Sequence, residues 1–245
     1  MLFVSWEELS LIMLIFVASA MTQGIMGFGF GIMAMTMLPL LMGLKDAVTL
    51  LSILNAAMML LSLYWQRSAF KWKAARQLMI GAFIGIPIGG VMIHYLDEDL
   101  LLGILGATMI YVGVNHFLTR HRKAQKAVKA WELPIGFFSG ILAAAFNMGG
   151  PPIVAYVFSR DWTVDSAKAI LASVFVTTSL SRLFIVGLTG EDLPKILWLS
   201  AAVIIPTAIV LRIGIGVGRR IPHEFLRPTI FGYLAIVGGY YLFFH

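Results

Sequence analysis

Stretches without a single Asp, Glu, Lys or Arg divide this chain. They cover residues 9–44 (36 residues), 47–66 (20), 77–96 (20), 100–119 (20) and 133–159 (27). Residues 169–190 are interrupted only by Arg182, and 196–211 and 229–245 add runs of 16 and 17. A helix needs about 20 apolar residues to cross a ~30 Å hydrocarbon layer. The pattern therefore predicts six single-span helices, at about 47–65, 77–95, 100–118, 169–187, 195–212 and 228–244. The other two runs do not fit one helix each. At 1.5 Å per residue the first would be ~54 Å long, and Gly24-Ile25-Met26-Gly27-Phe28-Gly29-Phe30-Gly31 interrupts it. The second is interrupted by Asn147-Met148-Gly149-Gly150-Pro151-Pro152. Clustered glycine disfavours a continuous helix, and proline removes backbone donors. Both runs read as pairs of shorter helices meeting at a non-helical stretch inside the membrane, with new helices starting at 30–41 and 151–159. Such backbone is tolerated where protein or a water-filled cavity surrounds it.

Composition agrees with this class. The 245 residues are 60% hydrophobic and 12% charged, against roughly 45–50% and about 25% in soluble domains. The absence of cysteine excludes a disulfide framework, a thiolate metal site and a cysteine nucleophile. The net charge of +6 does not point to nucleic acid, because the bases sit in short loops between apolar runs. The bilayer is the expected partner; no cofactor and no metal site is expected, and a homodimer is left open. No cleavable signal peptide is expected, since the N-terminus lacks Lys and Arg and its first run is too long for an h-region.

The element order occurs twice. With an offset of 120, Ser19 meets Ser139, Gly29 meets Gly149, Ala47 meets Ala167 and Leu51 meets Leu171, while Gly27 falls on Asn147 and Gly31 on Pro151. Charge sets the direction of each copy. Loop 66–76 carries Arg67, Lys71, Lys73 and Arg76; linker 120–129 carries Arg120, Arg122, Lys123, Lys126 and Lys129; loop 212–227 carries Arg212, Arg219, Arg220 and Arg227 against Glu224. These hold 13 of the 18 bases, so the positive-inside rule makes all three loops cytoplasmic. Asp97-Glu98-Asp99 and Glu191-Asp192 then lie outside. Loop 66–76 is inside, but its counterpart near 188–195 is outside, so the copies are antiparallel. The expected fold is an all-α polytopic membrane protein of two inverted repeats, each a re-entrant broken segment plus three transmembrane helices. Residues 1–119 form the first repeat, 120–131 a basic cytoplasmic linker and 132–245 the second repeat. The rival arrangement, eight plain spans in parallel repeats, would put loops 66–76 and 188–195 on one face against their charges.

Inverted repeats with broken helices meeting near the midplane are the architecture of many secondary transporters. A half-helix N-terminus exposes backbone N–H groups and about half a positive charge, and can hold an anion without a buried side-chain charge. Gly27, Gly29, Gly31, Gly149 and Gly150 would let a ligand approach the backbone, Pro151 suits a first helical turn, and Gln23 and Asn147 could add side-chain donors. Paired glycines also serve helix packing, and Gly27 and Gly31 have that spacing. Further in-span polar residues are Asn55, Arg182 and, four residues before it, Thr178. Arg182 is either functional or snorkels to the interface. No Asp or Glu is central in any span, which disfavours cation carriage and proton coupling through a buried carboxylate.

The sequences 25–31 and 146–152 together resemble the paired signatures of the TauE/SafE permeases, the sulfite exporter family, although Phe28 and Phe30 stand where the family has a continuous glycine run. The length, basic linker and duplicated layout agree over nearly the whole chain. The resemblance implies transport of small sulfur-containing anions such as sulfite, sulfonates or sulfoacetate across a prokaryotic inner membrane. The expected activity is thus a secondary anion transporter, most simply an exporter, with alternating access and no catalytic residue. The alternatives are a carrier for another small solute or a cation, a non-transporting scaffold, and an intramembrane enzyme. For the last, Ser139-Gly140 has no central-span histidine to activate it.

Overall fold

A computed structural model describes residues 5–119, 129–158, 160, 162–185, 187–188, 191–218 and positions 232, 235–236, 238–240 and 242–243. Every regular element among them is helical. The long helices are α1 (Trp6–Met26), α4 (Leu44–Gln66), α5 (Trp72–Tyr95), α6 (Glu98–Thr119), α9 (Val164–Ile185) and α10 (Leu193–Gly218). The short ones are α2 (Phe30–Met35), α3 (Leu38–Met42), α7 (Glu132–Phe146) and α8 (Gly150–Phe158). Five helices (α1, α4 with its following turn, α5, α9 and α10) are long and apolar enough to cross a membrane. The expected single spans 47–65, 77–95, 100–118 and 195–212 are helical throughout, and 169–187 is helical as far as Ile185. α10 runs past Arg212, whose guanidinium lies 5.4 Å from the centre of the Trp65 ring, so that charge does not end the helix. Residues 120–128 of the linker and 219–227 of the last basic loop lie outside the described residues, as does most of the expected span 228–244, whose described positions are helical.

Local chemistry sets the helix ends. Ser5 Oγ accepts the Glu8 N–H at 3.1 Å, and Glu7 and Glu8 occupy the first turn of α1, where the helix dipole favours acids. α1 ends at Gly27 with φ 81°, and α7 ends at Asn147 with φ 53°. This left-handed conformation suits glycine and, less readily, asparagine. Both breaks last three residues, 27–29 and 147–149, before α2 and α8 begin. The offset of 120 is thus repeated in the conformation of the first residue of each break, while Gly29 is left-handed and Gly149 is not. The first return helix is shorter than the expected 30–41: it stops at Met35, and α3 resumes after a turn at 36–37. Pro39 explains the stop, because it has no N–H for the Met35 carbonyl and its ring would crowd that group.

α1 packs along α10 and α7 along α5, while α4 and α9 pack on each other; α4 also touches α10, and α9 touches α5. With α1 matched to α7, α4 to α9 and α5 to α10, each of these contacts has its counterpart. The outer pairs are close enough for backbone to meet backbone. A Cβ at Gly81, Gly85 or Gly89 of α5 would run into the carbonyl oxygens of Leu133, Phe137 or Ile141 on α7. Gly24 of α1 faces Gly214 of α10, and Gly218 faces Ile25. In lipid, where helices gain little from apolar burial against each other, close approach through small residues is a main source of association.

Contacts at the helix ends order the bundle. Glu8 at the start of α1 pairs with Lys195 in the first turn of α10 at 2.7 Å. Asp46 in the first turn of α4 accepts the Glu191 N–H at 2.6 Å. The starts of α1, α4 and α10 therefore lie at one end. The start of α7, where Leu133 meets Gly81, lies beside the first half of α5, and so near loop 66–71 at the other end.

Gly85→Ala should cost about 3 kcal/mol or more, the upper range for overpacking, because neither backbone can yield; Gly103→Ala in α6, with nothing within 4 Å of the added carbon, should leave stability unchanged. Thermal unfolding in detergent compares the two.

Candidate functional site

The two breaks touch. A Cβ added to Gly31, in the first turn of α2, would collide with the carbonyl oxygen of Asn147. Between them lies a small, partly open cavity. Gln23, Gly29, Phe30, Gly31 and Ile32 wall it from the first break, Asn147 and Gly150 from the second, Asn55 from α4 and Phe175 from α9. None of these nine is charged. Asn55 and Phe175 are 120 apart, so the repeats place one polar and one aromatic residue at equivalent wall positions.

Of the residues singled out by sequence, Gln23, Gly29, Gly31, Asn55, Asn147 and Gly150 line this cavity. Gly27, Gly149, Thr178 and Arg182 are not among its described wall residues, and the Pro151 side chain lies outside the described residues. The stem of Lys168 occupies the space a Gly27 side chain would need, and Gly149 backs onto Ser139. Pro151 is the second residue of α8. Thr178 is buried and donates to the Phe175 carbonyl at 3.1 Å.

The polar side chains at the breaks mostly hold backbone. Gln23 Nε2 donates to the Gly27 carbonyl at 3.0 Å, and Gln23 Oε1 accepts the Phe30 N–H at 3.3 Å. One amide thus bridges the end of α1 and the start of α2. The equivalent residue in the second repeat is Ala143. There Asn147 Nδ2 ties the break to α4 instead, donating to the Val48 carbonyl at 3.0 Å and Ser52 Oγ at 2.8 Å. Asn55 Nδ2 donates to Ser179 Oγ of α9 at 2.9 Å.

Two cations stand behind the breaks. Lys168 is 5% exposed, and its Nζ donates to the Ile25 carbonyl in the last turn of α1 at 2.8 Å. Arg182 is fully buried, and its Nε donates to the Ala144 carbonyl in the last turn of α7 at 2.8 Å. Arg182 therefore does not reach for the interface; it is held inside the protein by a helix end. A helix C-terminus carries about half a negative charge. Left alone, these two ends would offset the positive starts of α2 and α8 across each break. A cation on each lessens that offset. The amides available for a ligand are few. Pro151 and Pro152 have no N–H, which leaves Gly149 and Gly150 at the start of α8.

Lys168 escaped the sequence reading because it bounds an apolar run and so reads as a membrane edge. Ser52 and Ser179 escaped it because their partners, Asn147 and Asn55, lie 95 and 124 residues away. Phe175 is an ordinary apolar residue in a span, and its place in the wall has no local signal.

A family profile described as "Sulfite exporter TauE/SafE" matches residues 11–241. A curated protein of Cupriavidus necator, "Probable sulfite/organosulfonate exporter TauE", is 26% identical over 227 residues, covering 89% of this chain and 87% of that protein. No solved structure matches.

Gln23→Leu keeps the side-chain volume nearly constant and strands the buried Gly27 carbonyl and Phe30 N–H. At about 1–3 kcal/mol for each unsatisfied group, it should lower the unfolding temperature in detergent clearly; an unchanged transition would show that the bridge carries no stability.

Proposed function

The chain belongs to the TauE/SafE sulfite exporter family, and from that premise we propose that it is a secondary transporter of sulfite, sulfonates or similar small organosulfur anions, holding them where its two broken helices meet. The observation that carries this reading is the contact of Gly31 with Asn147 beside a cavity with no charge among its described wall residues. An anion there gains from the starts of α2 and α8 and from Lys168 and Arg182 behind the breaks, without the desolvation cost of direct contact with a cation. A cation carrier would want acidic ligands, and the nine wall residues include none. An inside-negative potential drives an anion outward by ~2.3 kcal/mol per charge per 100 mV, so export needs no coupling ion. No chemical step is part of this cycle.

The reading includes inverted repeats, 1–119 and 132–245, that exchange access to the cavity between the two faces of a prokaryotic inner membrane. Three observations support the inversion. The starts of α1 and α4 share one end of the bundle through Glu8–Lys195 and Asp46–Glu191, which makes the first broken segment enter and leave on one side. α7 begins near the opposite end. The basic loops 66–76, 120–129 and 212–227 then share the cytoplasmic face, as the positive-inside rule asks.

Proteoliposomes loaded with labelled sulfite or sulfoacetate should release it when an inside-negative potential is imposed. Gly150→Ala adds one methyl group at the cavity wall, where the nearest atoms are 3.5 Å away, so it should fold normally and slow efflux by about tenfold or more, the equivalent of ~1.4 kcal/mol. Normal efflux from this variant would move the site elsewhere. Because the chain has no cysteine, single cysteines at the exposed Ser68 and Glu191 report topology: labelling from opposite sides is expected, and labelling from the same side refutes the inverted arrangement.

A further inference from the structure

A buried acid lies outside the machinery described so far. Glu132, in the first turn of α7, is 1% exposed. Its Oε1 accepts the Tyr156 hydroxyl of α8 at 2.7 Å. Its Oε2 is buried and has no hydrogen-bond partner among the described residues. Tyr156 is itself 3% exposed and packs edge-on against Trp162, ring centres 6.4 Å apart. This bond joins the two legs of the α7–α8 hairpin away from the break, toward the end of the bundle where α7 starts. The first repeat has no such pair: the equivalent positions are Ile12 and Thr36, and Thr36 donates to Met33 within its own segment.

We propose that Glu132 is a proton-binding site that latches the α7–α8 hairpin through Tyr156, closed when ionised and loosened when protonated. The inference rests on the chain being a transporter only for its effect on transport. A hydroxyl bonded to a carboxylate is roughly twice as strong a donor–acceptor pair as one bonded to a neutral group. A proton placed on Oε2 removes that advantage and brings a buried O–H that must find an acceptor. Both changes favour separation of the legs. The other titratable groups around the pair are few. Arg160 lies 5.7 Å from the Tyr156 ring centre and 5.6 Å from that of Trp162. α5 meets α7 through Leu78, Gly81 and Ala82, and its Lys73 and Arg76 are exposed. α9 contributes the exposed Asp165, Lys168 bonded to Ile25, and Arg182 bonded to Ala144 at the far end of α7. Lys129 belongs to the turn that precedes α7.

Exchange of labelled methanesulfonate across proteoliposomes, with equal pH on both sides, tests the latch, since this anion keeps one charge throughout. Wild-type exchange should quicken by about fivefold as pH falls. Glu132→Gln should exchange at the fast rate at every pH, and Tyr156→Phe, which keeps the acid but removes the donor, should flatten the profile too. A flat wild-type profile overturns the proposal, as does the wild-type slope surviving in Tyr156→Phe, which decides the matter if Glu132→Gln does not fold. A second readout needs no substrate. Amide hydrogen-exchange protection of 150–158, corrected for intrinsic rates, should fall with pH in the wild type and not in Tyr156→Phe; equal behaviour overturns the latch. Absence of wild-type exchange alongside the expected protection pattern would sink the transport reading and leave the latch standing.

Discussion

Backbone N–H and C=O groups cannot be left bare in hydrocarbon, and that constraint organises this molecule. Each break exposes the end of one helix and the start of another, so each must be enclosed and each orphaned group given a partner. The chain meets part of this need with other parts of itself. Gln23 spans the first break, Asn147 anchors the second to α4, and Lys168 and Arg182 reach the last carbonyls of α1 and α7. The glycine contacts of α1 with α10 and α7 with α5 follow from the same need, because only closely packed helices keep lipid from the breaks.

The two breaks solve one problem with different chemistry. Where the first uses glycine in the left-handed conformation and a glutamine bridge, the second uses asparagine as both cap and anchor. α2 gives way at Met35, whereas α8 continues for nine residues. α8 is therefore the longer of the two helices that follow the breaks.

The breaks were legible in the sequence because glycine and proline act on their own backbone. The offset of 120 pairs Gly27 with Asn147, both left-handed, although Gly29 is left-handed and Gly149 is not. Pro39 carried the same kind of signal for the end of α2, masked by reading it as one more apolar residue in a long run. What was hidden depended on distant partners. Lys168 and Glu132 each border a charge-free run, and counting such runs assigns both to the interface; Ile25, 143 residues from Lys168, and Tyr156 across the hairpin draw them inside. Arg212 misled in a milder way, since Trp65 gives it a place along a continuing helix.

Lys168 and Arg182 belong to one helix. Fourteen residues separate them along α9, or ~21 Å of rigid rod at 1.5 Å per residue, with α1 fastened near one end and α7 near the other. The last turns of α1 and α7, one at each gap, are thereby held by a single piece of secondary structure, with no relay of side chains between them.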